Sequence, residues 1–200
     1  MQENEIPTLI NHEVVSGDNL WDIAKKYNSN VSHIREINKI KTHTIQIGWV
    51  IKIPNKIYME KMDLTKKWNQ AVEFRKKSQL MESIVLLKEI IDFNGGHDLL
   101  SKAQFQIADI YLNDINNYIF AIQEFQKVIE NYPESEEAKK SLFMLGYISS
   151  NYIEAYSDAL LYYNMFLDKY PLDELSYSIN YELELLDSLN ISKDLKNLNK

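Results

Sequence analysis

Between Glu13 and Pro54 the apolar positions change period three times. A short apolar pair, Val14-Val15, runs into Ser16-Gly17-Asp18-Asn19. Glycine there accepts a positive φ, and Asp and Asn bond back to their own backbone, so this is a turn. Leu20, Ile23, Ala24 and Tyr27 then fall at i, i+3, i+4 and i+7, one face of a helix. Asp18 or Asn19 is suited to cap it. Val31, Ile34, Ile37 and Asn38 write a second helical face, with Ser32 near its start. Ile47, Gly48 and the β-branched run Val50-Ile51-Lys52-Ile53 follow, and Pro54 stops the run. The predicted order is strand, helix, helix, strand. Residues 1–11 read as a loose lead-in. Residues 55–62 read as a short linker, with Ile57, Tyr58, Met59 and Met62 apolar enough to pack.

From Asp63 onward helical periodicity continues with no convincing strand pattern. A spacing recurs inside it. Ala121-Ile122, Phe125, Val128 and Pro133 stand at the same offsets as Ala159-Leu160, Tyr163, Phe166 and Pro171. An earlier copy reads Ser83-Ile84, Leu87, Ile90 and Gly95, with Gly in the Pro position. The interval is 38 residues each time. Phe105, Ile107-Ala108 and Ile110 recur at that interval as Phe143, Leu145-Gly146 and Ile148. Small residues at 108 and 146, and alanines at 121 and 159, let paired helices approach closely. Pro133 and Pro171 stop one helix and open the next pair, since proline is tolerated in a first helical turn and not inside one. Residues 174–189 form one more amphipathic helix through Leu175, Ile179, Leu183, Leu186 and Leu189, read as a cap over the last apolar face. Lys193 to Lys200 is expected to fray.

The first of these stretches resembles a LysM domain, a small α+β module. The matching pieces are Val15-Ser16-Gly17-Asp18-Asn19-Leu20, Ile23-Ala24, Tyr27, Val31, Ile34, Ile37-Asn38, Ile40, Ile45, Gly48 and Ile51-Lys52-Ile53-Pro54. The resemblance implies binding of N-acetylglucosamine polymers such as peptidoglycan or chitin. It implies a shallow groove between two neighbouring loops: Gly17, Asp18, Asn19 and Leu20 on one side, and Ile40, Thr42, Thr44 and Ile45 on the other. Trp49 departs from the family, which usually has glutamine after the glycine, and points to an altered sheet surface or an interdomain contact. Asn19 replaces the common Thr or Ser. Residues 65–171 are similar to tetratricopeptide repeats, in particular the long repeats of periplasmic envelope proteins of the outer-membrane assembly and Tol-Pal coordinator types. That resemblance implies a helical-hairpin solenoid that recruits a protein partner. The expected organisation is a LysM module over 12–54, a linker over 55–62, and a tetratricopeptide solenoid with its capping helix over 63–191.

Charge sharpens this picture. The chain of 200 residues carries a net charge of -7, but residues 12–54 alone hold six Lys or Arg against four Asp or Glu. The acidic remainder is a poor phosphate binder, so nucleic acid is not an expected partner. With 45% hydrophobic and 26% charged residues the composition is that of a folded protein, and five Gly and four Pro argue against a loop-rich chain. No run is long and apolar enough for a membrane span. Absence of cysteine excludes disulfides, thiolate catalysis and zinc-thiolate sites. The first residues, Met1-Gln2-Glu3-Asn4-Glu5-Ile6-Pro7, lack the basic-then-apolar layout of a secretory signal. Either a signal has been removed, or the start lies upstream, or the protein works inside the cell.

Candidate chemistry is thin. His12, His33, His43 and His97 show no metal-ligand spacing and read as surface residues, with His43 placed to hydrogen-bond a sugar. Carboxylate pairs such as Glu136-Glu137 and Glu182 with Glu184 read as solvated faces, not as the acid/base pair of a glycosidase. No nucleophile elbow and no phosphate loop occurs. Most of the 13 tyrosines are expected to fill helix contacts with the hydroxyl at the rim. Neither catalysis nor a cofactor is expected. The expected role is a peptidoglycan-binding adaptor of the bacterial cell envelope. The alternatives are a cytoplasmic scaffold whose module does not bind sugar, or a non-catalytic subunit of a wall-hydrolase complex.

Overall fold

A computed structural model describes residues 8–93 and 98–198, with side chains as far as 188. The expectations for Gly95, His97 and Leu189 lie outside the described residues. The chain divides into two compact units, 1–67 and 68–200.

In the first unit the elements are β1 (Leu9–Glu13), α1 (Leu20–Lys26), α2 (Val31–Ile37), β2 (Val50–Pro54) and the start of α3 (Lys56–Lys76). The strands pair antiparallel, with Leu9 opposite Pro54 and Glu13 opposite Val50. The first strand therefore starts inside the stretch read as a loose lead-in. Its sequence, Leu9-Ile10-Asn11-His12-Glu13, carries little apolar alternation, and only His12 is buried. Pairing with β2, more than a side-chain pattern, defines it. Val14 prolongs the ladder: its N–H donates to Trp49 O at 2.8 Å, and its carbonyl accepts from Gly48 N at 2.8 Å. The segment read as a linker is also different. It forms the first two turns of α3, begun where Asn55 Oδ1 accepts from Tyr58 N.

Both short helices are capped by asparagine. Asn19 Oδ1 accepts from Trp21 N and Asp22 N, and Asn30 Oδ1 accepts from Ser32 N. Their inward faces, with the strands, bury Val14, Leu20, Ile23, Ala24, Ile34, Ile51 and Ile53 in one cluster, against which Tyr27, Val31, Ile40 and Ile45 pack. At about 1.5–3 kcal/mol per fully buried aliphatic side chain, this cluster is the main cohesive term of the unit. His33 on α2 is buried and meets Asp63 Oδ1 on α3 at 2.9 Å, and Lys66 pairs with Glu36 at 2.6 Å.

The second unit is helical: the rest of α3, then α4 (Leu80–Ile91), α5 (Leu99–Asp109), a π-helical turn (Ile110–Asp114), α6 (Tyr118–Asn131), α7 (Glu136–Asn151), α8 (Tyr156–Lys169) and α9 (Leu175–Leu198). From α4 to α9 each helix packs on the next. The 38-residue spacing reappears in the backbone. Helices α4, α6 and α8 begin at residues 80, 118 and 156. Ser78, Asn116 and Glu154, each two residues before such a start, take left-handed φ of 57°, 57° and 54°. The turns close alike: Asn117 N bonds Tyr111 O and Ala155 N bonds Ser149 O, both at 2.8 Å. Carbonyls at the preceding helix end are thus satisfied by donors beyond the left-handed residue. Arg75 fastens the π turn at both ends, with Nη1 2.7 Å from Asp109 Oδ2 and Nη2 2.6 Å from Asp114 Oδ2.

Buried apolar residues run through this unit, among them Ile84, Leu87, Ile90 and Ile107, and two clusters stand out among the described residues. One holds Ala108, Leu112, Ala121, Phe125, Leu145 and Ile148. The other holds Leu142, Ala159, Tyr163, Phe166, Ile179 and Leu186. The pair Ala108 and Phe125 recurs 38 residues later as Gly146 and Tyr163. A Cβ on Gly146 would lie 2.4 Å from Tyr163 Cε1. Tyr163 departs from the expectation of hydroxyls at the rim. It is fully buried, and its hydroxyl has no partner among the described residues. Burial, and then the nearby Glu182 and Tyr147, push that phenol's pKa up. Two opposite effects of substitution follow. Gly146→Ala drives a methyl into the ring and is expected to cost about 2 kcal/mol. Tyr163→Phe removes an unsatisfied buried hydroxyl and is expected to stabilise by about 1 kcal/mol. Urea titration of both variants, followed by helical ellipticity, checks the signs.

Candidate functional site

The first candidate loop is built around one carboxylate. Gly17 takes a φ of +95°, a left-handed value that favours glycine, and this folds the chain back so that Asp18 N donates to Val15 O. Asp18 Oδ2 accepts from Val15 N at 2.9 Å and from His12 Nε2 at 2.9 Å. An ionised carboxylate only accepts, so in the neutral imidazole Nε2 carries the proton and Nδ1 accepts from the Tyr27 hydroxyl at 3.0 Å. The Val15 N–H, and next the His12 bond, hold the Asp18 carboxyl below its usual pKa range. His12 is thus a buried positioning group between β1, the loop and the end of α1, contrary to the surface role read from its isolation in sequence. His33 is likewise buried. His43 is exposed, with Nε2 3.4 Å from Arg35 Nη1.

The second candidate loop is held by a residue that periodicity did not single out. Arg35, on the outer side of α2, donates from Nε to Ile40 O at 3.2 Å and from Nη2 to Lys41 O at 2.6 Å. Asn38 caps α2 and acts as a surrogate strand partner. Its Nδ2 donates to Ile34 O and Lys52 O, each at 2.7 Å, and its Oδ1 accepts from Lys52 N at 2.8 Å. A side-chain amide thereby pairs with both backbone groups of one β2 residue. The available sequence signal was its place at the end of the second helical face, where asparagine can turn the chain and bond backbone.

The eight residues expected to bind sugar have unequal access. Leu20 is only 3% exposed and belongs to the core. Ile40 and Ile45 are half-buried and pack against the same cluster, so the two loops share an apolar floor. Thr42 and Thr44 are exposed, and Thr42 Oγ1 accepts from Thr44 N at 3.3 Å. Gly17 and Asn19 are exposed and Asp18 is half-buried. The Asn19 side chain is already engaged: its oxygen caps α1 and its Nδ2 donates to Asp22 Oδ2 at 2.6 Å. Asp18 is engaged as well. Beside the second loop, Asn38, Ile40, Gly48, Trp49, Val50 and Ile51 line an open groove of about 510 Å³, which gives the unusual Trp49 a place at a surface depression. Among the described residues no cluster of His, Asp and Glu could hold a metal ion, and no helix is long and apolar enough to cross a membrane.

Comparison with known proteins assigns this region. Residues 12–54 match the family described as LysM domain. Over 42 residues the chain is 36% identical to the probable peptidoglycan endopeptidase LytE of Bacillus subtilis (strain 168). That alignment covers 21% of this chain and 13% of the relative, and it falls on the small module only.

The depressed pKa of Asp18 gives a pH signature. Its contribution to stability is present above the unfolded value of 3.8 and is lost as pH falls through the lower folded value. Asp18→Asn is expected to destabilise the module at pH 7, and the gap from the parent protein is expected to close as the pH drops below 3.8. Asn38→Ala is expected to cost about 1 kcal/mol, since it removes the bonds to the backbone of Lys52 and leaves those exposed groups to water. Amide exchange of residues 9–54 across pH 3 to 7 measures both effects.

Proposed function

We propose that this chain is a non-catalytic adaptor that binds peptidoglycan, or a related N-acetylglucosamine polymer, through residues 12–54. In this reading its helical part, over residues 63–191, recruits a protein partner at the bacterial cell envelope. The observation that carries the reading is the match of residues 12–54 to the LysM family, on a segment where two tied-down loops share one apolar floor. Gly17, Asp18, Asn19 and Leu20 would form one wall of the groove and Ile40, Thr42, Thr44 and Ile45 the other. Backbone N–H and C=O groups meet the acetamido group, and the isoleucines cover its methyl. The loops are pre-organised by Asp18 and Arg35, so little ordering entropy is lost on binding.

For the helical part we infer an array of tetratricopeptide type. Three helix starts 38 residues apart, with matching left-handed turns, support it. Exposed aromatic and aliphatic groups, including Tyr177, Tyr181 and Leu185, supply contact area for a partner. A single shallow sugar site binds modestly, and the polymer compensates by avidity.

Two measurements test the sugar reading. The protein is expected to sediment with purified peptidoglycan, and chitin or muropeptide oligomers are expected to shift the amide signals of Gly17 to Leu20 and of Ile40 to Ile45. A protein that stays in the supernatant, with those signals unmoved, is not a wall-glycan binder.

A further inference from the structure

We infer that the groove between α1 and the start of α2 is a second glycan subsite, built for an amino sugar that carries a carboxylate. The inference rests on the reading that residues 12–54 bind an N-acetylated glycan, and it concerns different residues. On α1 the inward positions are Leu20, Ile23 and Ala24. This leaves Trp21 and Lys25, one turn apart, on the same outer ridge. With Ala24, Ser29, Asn30 and Val31 they line an open groove of about 530 Å³, within the range of small-ligand sites.

Trp21 is 73% exposed. Its indole contributes nothing to the core, and its N–H bonds none of the described residues. An exposed indole beside Ala24 and Val31 offers a flat apolar platform, the surface that suits the C–H face of a sugar ring. Asn30 supplies a directed donor. Its Oδ1 is occupied by Ser32 N at 2.8 Å and Ser32 Oγ at 2.6 Å, which orients the amide, while its Nδ2 bonds none of the described residues. Ser29 is fixed by donation from Oγ to Pro54 O at 2.8 Å and keeps its own lone pairs.

Lys25 decides the ligand. Lys25 is the charged residue of that lining; it has no carboxylate partner among the described residues, and neither do Lys39, Lys41 and Lys52 elsewhere in the module. A neutral sugar on Trp21 would leave that ammonium unused. A sugar bearing a carboxyl substituent gives it a charge-assisted partner at the edge of the platform. The groove thus favours a muramyl-type residue whose lactyl carboxylate is free of stem peptide over the uniformly neutral residues of chitin.

The test uses the full chain and two probes. One is a neutral chitin tetrasaccharide. The other is a wall-derived tetrasaccharide free of stem peptides, whose muramyl residues keep their carboxylates. Both are expected to shift Gly17 to Leu20. The carboxylated probe alone is expected also to shift Lys25 and Ser29 to Val31, and to bind more tightly at low salt. Lys25→Gln is expected to lower its affinity about fivefold, to the level of the neutral probe, without changing binding of the latter. Trp21→Ala is expected to lower it at least as far. If the carboxylated probe shifts Gly17 to Leu20 but leaves Lys25 and Ser29 to Val31 still, or if Lys25→Gln binds it as the parent does, the subsite is overturned and the first groove stands. If neither probe shifts any of these signals, the glycan reading falls and takes the subsite with it.

Discussion

A two-stranded sheet cannot hold itself together in water. The first unit has only β1 and β2, so its cohesion must come from elsewhere. Seven buried apolar residues supply most of it. The rest comes from side chains that bond backbone where a third strand would otherwise do so. Asn38 pairs with both main-chain groups of Lys52, Asp18 takes the Val15 N–H, and Arg35 takes two successive carbonyls. Each of these bonds also shapes a loop. Stability and site geometry are consequently one set of interactions in this module, and a loop cannot be loosened without cost to the fold.

The same economy leaves surface uncommitted on so small a body. The inward face of α1 is spent on the core, and the Asn19 side chain is spent on the first turn of the helix. The outer ridge alone is left for a platform. A helix of seven residues thereby serves the core with one side and offers surface chemistry with another. The helical unit works differently: each helix packs on its neighbours along the chain, and side-chain bridges such as Gln104 with Glu124, Gln126 with Tyr162 and Arg75 at the π turn add to that packing.

Much of this architecture was legible in the residues. The period of Leu20, Ile23 and Ala24, the Val50 to Ile53 run and the 38-residue spacing are all burial patterns, and burial is what periodicity reports. The cap of α1 was legible as Asp18 or Asn19 for a similarly local reason, and it is Asn19 that takes the role. Other features depended on partners distant in sequence. β1 exists because β2 lies beside it, and Asn11 and Glu13 do not advertise that. His12 and His33 are buried because Tyr27, Asp18 and Asp63 reach them. Arg35 looked like any exposed helical cation until its carbonyl partners were in place. The stretch after Pro54 had linker composition, yet it is helical.

The three left-handed turns at Ser78, Asn116 and Glu154 bear on how a low glycine content should be interpreted. A side chain held at such a φ costs roughly 1–2 kcal/mol. Glycine would avoid much of that cost but would add about 0.5–1 kcal/mol of freedom to the unfolded chain. The two penalties nearly offset, so neither residue class is compelled at these corners. A scarcity of glycine in this chain therefore conceals these reversals, and the corners are fixed by donors such as Asn117 N and Ala155 N that any non-proline residue can provide.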